Sequence, residues 1–443
     1  MKFRGLITAA VILLILGGVL YWSEHHKAPE TTSSSEQPTI LKVDPPSVKT
    51  VVVKQKGAEP VTLTKSGTGQ WQITTPGNYR ADDTTVYAML SSLGPLNAER
   101  VVENQSSNNQ GANLGQFGLS DPAVEVEITD KDNKAHKLLI GDSTPTGDAV
   151  YVALAGDPRV FTAAASIRSS LNKSLGDLRD KRLLPVESSS VSSIELDRKA
   201  GDLEFARVQN GWQIEKPQSY RTDTFQVDDL VDQLTGAKWD PGATAEEAKK
   251  GFDAGTPVAT VKLTGSEGTD TLEVRKGKSG DYYAKSSAVE GDQKIDSSTA
   301  TALSEALDRG LDEFRNKQLF SFGYAEPDKI DYQSGGTTVE LTRTGNDWWS
   351  NGKKMDRDSV EAVVTALRDL AATKFVDTGF SNPGMDVTVT SGNGKTVEKV
   401  EIQKTGDGAI AKRADDDSLY QLDAVTVEGL TDAIAGLKPA AKK

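Results

Sequence analysis

Apolar residues recur along this chain with two periods that take turns. Short runs rich in β-branched residues, at 49–53, 61–64, 123–128, 137–140, 258–263 and 271–274, are bounded by Gly, Asp and Ser and predict strands. Between such runs the apolar positions fall three or four apart: Val86, Leu90 and Leu93, then Val227, Val231 and Leu234, then Val360, Val364 and Leu367. Each set marks the buried stripe of a helix. Further stripes, Ile167, Leu171, Leu175 and Leu178, then Leu303, Leu307, Leu311 and Phe314, then Leu430, Ile434 and Leu437, predict a second, closing helix in each stretch. The order is therefore three strands, a helix, several strands and a helix. Short polar turns between strands favour antiparallel pairing, so the predicted class is α+β, an antiparallel sheet with helices packed on it.

The same order occurs more than once. Trp71 sits in Gly69-Gln70-Trp71-Gln72-Ile73 and Trp212 in Asn210-Gly211-Trp212-Gln213-Ile214, 141 residues later. The same offset carries Tyr79-Arg80-Ala81-Asp82 onto Tyr220-Arg221-Thr222-Asp223, and the closing segments Arg179, Lys181 and Leu183 match Arg315, Lys317 and Leu319. A third copy is predicted around Trp348 or Trp349 and Asp356, with a shorter loop and without the Tyr-Arg pair. The expected organisation is an anchor over residues 1–23, a flexible tether over 24–47, and repeat units at 48–186, 187–329 and 330–443, the last one shorter.

The anchor rests on a further change of pattern. Lys2 and Arg4 precede an uncharged stretch of 18 residues from Gly5 to Trp22. As a helix it would be about 27 Å long, close to the hydrocarbon thickness of a bilayer. Tyr21 and Trp22 suit a membrane interface, and the basic residues place the N-terminus in the cytoplasm and the bulk of the chain outside. The stretch ends in Leu20, Tyr21 and Trp22 rather than in a small-residue cleavage site, so it reads as an uncleaved anchor instead of a signal peptide. Pro, Ser, Thr, Glu and Lys then dominate to about Ser47 and predict the tether.

Composition narrows the chemistry. Acidic residues outnumber basic ones, 64 to 51, for a net charge of -13, which argues against nucleic acid as a partner. The chain has no cysteine and three histidines, His25, His26 and His136. Thiolate nucleophiles and Cys-based zinc sites are excluded, and a Ser-His-Asp triad is poorly supplied. Asp82, Asp223 and Asp356 each precede a helical stripe and are expected to cap it. Asp130 and Asp132 lack the glycine and closing glutamate of a calcium loop, and Asp415, Asp416 and Asp417 read as a solvated hairpin turn. Trp71 and Trp212 are expected in the core, with Trp239 or one of Trp348 and Trp349 left as an exposed contact. No catalytic, cofactor or metal residue is predicted.

The membrane anchor, the tether, the Trp-x-Ile strand, the Asp-led helix and the Arg-x-Lys-x-Leu segment together resemble the bacterial domain-of-unknown-function 4340 family. The resemblance implies a single-pass envelope protein of the inner membrane, accessory to an ABC-type permease and its auxiliary subunit, and supplies no catalytic residues. A non-catalytic scaffold is the expected function. A module binding lipid, glycan or peptide between units, and a hydrolase using paired carboxylates, are the alternatives left open.

Overall fold

The computed structural model describes residues 38–104, 114–209, 211–406 and 408–441. The anchor expected from Gly5 to Trp22 lies outside these residues, as do His25 and His26. Among the described residues no helix is long and apolar enough to cross a membrane. The chain divides into two compact units, one ending at Asp180 and the other beginning at Lys181.

The first unit contains strands β1 (Thr39–Leu41), β2 (Val48–Gln55), β3 (Val61–Lys65), β4 (Trp71–Thr75), β5 (Tyr79–Arg80), β6 (Leu96–Asn97) and β7 (Arg100–Asn104), with helix α1 (Asp83–Ser91) between β5 and β6. Then follow β8 (Val124–Asp130), β9 (Ala135–Ser143), β10 (Ala149–Leu154) and β11 (Arg159–Ala164), and helices α2 (Ser166–Leu171) and α3 (Leu175–Leu178). Nine strands form an antiparallel sheet in the order β5-β4-β3-β2-β8-β9-β10-β11-β7. The first three-strand meander thus leaves through α1, and the second meander returns to pair β8 with β2 at the centre. The tether is shorter than its composition suggests: Thr39–Leu41 pairs with β6, and Ile40, Leu41 and Val43 are buried in the core. These three apolar residues release enough surface from water to order a stretch whose other residues are polar or proline.

The second unit repeats this plan twice. Its first module has β12 (Ser193–Arg198), β13 (Leu203–Val208), β14 (Gly211–Lys216), helix α4 (Thr224–Gly236), helix α5 (Ala245–Ala254), β15 (Thr256–Gly265), β16 (Gly268–Lys276), β17 (Tyr282–Ser286), β18 (Val289–Lys294), and helices α6 (Ser297–Asp308) and α7 (Leu311–Phe314). The sheet order is β14-β13-β12-β15-β16-β17-β18. Its second module has β19 (Lys329–Ser334), β20 (Thr337–Thr344), β21 (Asp347–Ser350), β22 (Lys353–Lys354), helix α8 (Arg357–Arg368), β23 (Lys374–Val376), β24 (Met385–Ser391), β25 (Thr396–Thr405), β26 (Gly408–Arg413), β27 (Leu419–Asp423) and helix α9 (Ala424–Ala435). Its nine strands run β22-β21-β20-β19-β24-β25-β26-β27-β23. The modules are therefore antiparallel sheets with one strand order, each covered on one face by helices.

Alternation explains the layering. Along β24 the residues Met385, Val387, Val389 and Ser391 are buried while Asp386, Thr388 and Thr390 are only half-buried. The inward sets meet the helical stripes, Val227, Leu230, Val231 and Leu234 on α4 and Val360, Val363, Val364 and Leu367 on α8, in separate cores. Outward positions carry cross-strand ion pairs such as Glu195–Lys262 at 2.8 Å and Glu204–Lys216 at 2.6 Å, both directly opposite in register. The closing helices depart from the pattern. The stripe from Ile167 to Leu178 is broken between α2 and α3, where Ser174 begins a new helix through a capping box with Asp177, and the stripe from Leu303 to Phe314 is broken before Gly310. Helix α5 was not expected from the sequence; Thr244 caps it and Phe252 is buried on its inner side.

Candidate functional site

The three aspartates that precede helical stripes, and Asp130, have structural tasks. Asp82 accepts from the Thr85 amide at 3.0 Å, Asp223 from Phe225 at 3.1 Å, and Asp356 from Ser359 at 3.1 Å, so all three are helix N-caps. Asp130 accepts from the amides of Asp132 and Lys134, closing the β8–β9 turn through Asn133 in a left-handed conformation. His136 lies half-buried on β9 opposite Ile128. Trp71, Trp212, Trp239 and Trp348 are buried, and Trp349, one step along β21 and so on the other face, is 39% exposed. Among the described residues no three His, Cys, Asp or Glu side chains gather to hold a metal.

What the repeated motifs build is a clasp. Tyr79 and Arg80 lie a hundred residues from Arg179, yet the Arg179 guanidinium stacks 4.1 Å from the centre of the Tyr79 ring. In the next module Arg315 stacks 4.2 Å from Tyr220. The backbone repeats as well. The capping aspartates donate from their amides, Asp82 to Leu178 O and Asp223 to Phe314 O at 2.8 Å and Asp356 to Lys438 O at 2.9 Å. Two residues on, Asp180 donates to Arg80 O, Asn316 to Arg221 O and Ala440 to Lys354 O. Each module therefore stitches the end of its chain beside its own edge strand. The third copy has Lys353 and Pro439 at the stacking positions, so both aromatic and cationic partners are missing together.

Within the second unit the clasp leads straight into the next module. Asn316 is bonded back to Arg221, while Lys317 O already accepts from Ala372 at 2.8 Å and Leu319 donates to Leu370 O at 2.9 Å. No residue lies between the two attachments. Side chains then seal the junction. Arg221 donates to Gln318 O at 2.7 Å, to Ser321 Oγ at 2.6 Å and to the Tyr420 hydroxyl at 3.3 Å. Arg315, 9% exposed, stacks on Phe375 at 3.5 Å as well as on Tyr220, and donates to Ser418 Oγ at 2.8 Å. Glu398 accepts from the Ser321 amide at 2.9 and 3.0 Å and pairs with Arg413 at 3.1 Å, both side chains being almost wholly buried.

The acidic run is the turn between β26 and β27, with Asp415 and Asp417 exposed; only Asp416, half-buried, reaches toward this junction. Asp415 is paired with Arg413, which holds its carboxyl below the usual range. Asp416 accepts from the Ser418 amide and hydroxyl and from the Tyr420 hydroxyl; burial opposes its charge, but these bonds keep its carboxyl below the ordinary value. Burial, reinforced by Asp416, pushes the Tyr420 phenol up to about 12. Only Asp417 is fully in solvent.

The solvent side of the paired helices differs between the two modules of this unit. Aligning the caps Asp223 and Asp356 places Asp229 and Gln233 of α4 at the positions of Ala362 and Ala366 of α8. Aligning Asp296 and Asp423 places Arg309 at Gly436. In the first of these modules Arg309 ion-pairs with Asp229, holding its carboxyl below the usual range, and Gln233 donates to the same carboxylate. The small residues of the second module leave instead an open groove of about 780 Å³ between α8 and α9, floored by Ala362, Ala366, Gly429 and Ala433. Asp358, Glu361 and Asp369 stand along it, and none of the three ion-pairs with a basic side chain among the described residues.

Fold and clasp together define a class: a modular repeat protein of antiparallel sheet and helix layers. The chain belongs to the family described as Domain of unknown function (DUF4340), whose model matches residues 71–238 and again 212–383. Both matches begin at the landmark tryptophan and run past the clasp to beyond the next capped helix, so one family match spans one module's end and the next module's beginning. No curated protein matches the chain.

Proposed function

We propose that this protein is a non-catalytic scaffold of the bacterial envelope, held to the inner membrane by the segment from Gly5 to Trp22 and acting as an accessory subunit of an ABC-type permease and its auxiliary subunit. The observation that carries the reading is the junction in the second unit. A chain that passes from one module's hydrogen bonds to the next without a free residue, and buries Arg315, Glu398 and Arg413 there, holds its surfaces at a set spacing. Such spacing serves contact with a large assembly, as stacked repeats do, better than it serves one chemical centre. The anchor and the class of partner come from the sequence pattern and the family resemblance.

The test is gentle solubilisation of the full chain from its native membrane and mass spectrometry of what accompanies it, beside a chain lacking Met1 to Trp22. Stoichiometric permease and auxiliary subunit with the full chain are expected. Recovery of a lipid or glycan with no protein partner would replace the scaffold by a ligand-binding module.

A further inference from the structure

We infer that the groove between α8 and α9 is a docking site for a basic amphipathic helix of a partner protein. The inference deepens the scaffold reading and rests on it for the existence of a partner. Its starting point is the contrast between two modules built on the same plan. Where the earlier module bridges its helices with the Asp229–Arg309 ion pair and Gln233, the last module has Ala362, Ala366 and Gly436. The fold itself therefore does not need small residues here, since its sister bridges the same two helices with larger, paired side chains.

The shape fits a helix. The residues facing the groove from α8, Asp358, Glu361, Ala362, Thr365, Ala366 and Asp369, follow helical spacing over three turns, about 16 Å of helix axis. Alanine and glycine on the floor allow a third helix to approach both, toward the short end of the usual interaxial distance of about 8 to 10 Å. The charge names the partner's chemistry. Asp358, Glu361 and Asp369 make no ion pair among the described residues, Glu428 and Asp432 lie exposed on α9, and α9 carries no lysine or arginine. A helix presenting small or apolar residues to the floor, with Lys or Arg on its flanks, would neutralise this rim; an acidic or neutral one would leave it uncompensated.

The experiment uses the full chain in detergent and two synthetic helical peptides with the same Ala, Gly and Leu stripe, one flanked by Lys and Arg and the other by Glu, with binding read by calorimetry. The basic peptide is expected to bind with micromolar affinity that falls as salt is raised, and the acidic peptide at least tenfold more weakly. Ala362→Gln with Ala366→Gln, which restores bulk at one exposed and one half-buried position, should weaken the basic peptide at least tenfold, as should Glu361→Lys with Asp369→Lys. Unchanged circular dichroism and melting temperature show that each variant is folded. Equal binding to wild type and variants, or no binding by the basic peptide, overturns the inference. So does a dimer of the chain, seen by sedimentation, that the Ala366→Gln variant abolishes, because a second copy would then be the occupant. Since the peptides are tested on isolated protein, their failure leaves the co-purification result standing, and the reverse also holds.

Discussion

Arg315→Ala should loosen the second unit at its junction, and the size of the effect can be worked from the contacts. The guanidinium lies 4.2 Å from the Tyr220 ring and 3.5 Å from the Phe375 ring, and donates to Ser418 at 2.8 Å and Asp312 at 3.0 Å. A desolvated cation–π contact contributes about 1 to 2 kcal/mol and a hydrogen bond from a charged donor about 1.5 to 3. These terms share one group and do not add fully, so a loss of about 3 kcal/mol is expected. In urea that corresponds to a midpoint lowered by roughly 1 M for a slope of about 3 kcal/mol/M. Arg315→Lys should recover less than half, because an ammonium lacks the planar face that lies between the two rings. A double-mutant cycle with Phe375→Ala should show a coupling of about 1 kcal/mol. Spin labels on exposed Thr301 and Thr396 should report a distance distribution broader in Arg315→Ala than in wild type. A loss below about 0.5 kcal/mol, or a lysine variant as stable as wild type, would refute the argument that this side chain joins the modules.

Other expectations follow from the same geometry. Glu398→Ala takes one of two carboxylates from the buried Arg413, which keeps Asp415, and leaves the Ser321 amide without its acceptor, so it should destabilise by about 1 to 3 kcal/mol in urea unfolding. Trp348→Ala should lose about 3 to 5 kcal/mol and Trp349→Ala less than about 1, and equal losses would contradict the register of β21. The Asp229 carboxyl is held low by Arg309, so its contribution is full above the unfolded value near about 4 and is lost as pH falls through the lower folded value. Asp229→Asn should therefore flatten the fall of the urea midpoint between about pH 5 and pH 2.

Much of this architecture could be read along the chain, because periodicity and capping are local. A residue four positions from another on a helix must share its face whatever lies opposite, and an aspartate before such a stripe meets orphan amides in any surroundings. The stripes around Val86, Val227 and Val360 and the caps Asp82, Asp223 and Asp356 were legible for that reason. Breaks in the closing helices were not, since Leu175 and Leu311 keep the apolar spacing after the backbone has turned. Helix α5 carried a weak signal in Thr244, Glu247 and Phe252, spread over a polar stretch. The end of the tether is not legible, because Ile40, Leu41 and Val43 are few and their burial depends on a strand over fifty residues away.

What the chain determines by itself is its class, an antiparallel α+β repeat without a visible chemical centre, because hydrophobic period and the supply of reactive side chains are properties of the sequence alone. What only tertiary structure decides is which distant residues meet. The Tyr79 and Arg179 motifs are recognisable separately, but nothing in their spacing announces that they stack. Asp415 to Asp417 read as a hairpin turn and form one, but nothing local shows that Tyr420 and Ser418 close around Asp416. Ala362 and Ala366 read as ordinary helix formers, and whether they line a packed seam or an open groove depends on what the neighbouring helix places across from them. Contact between faces is a property of pairs of elements, and one-dimensional pattern records only each element's own.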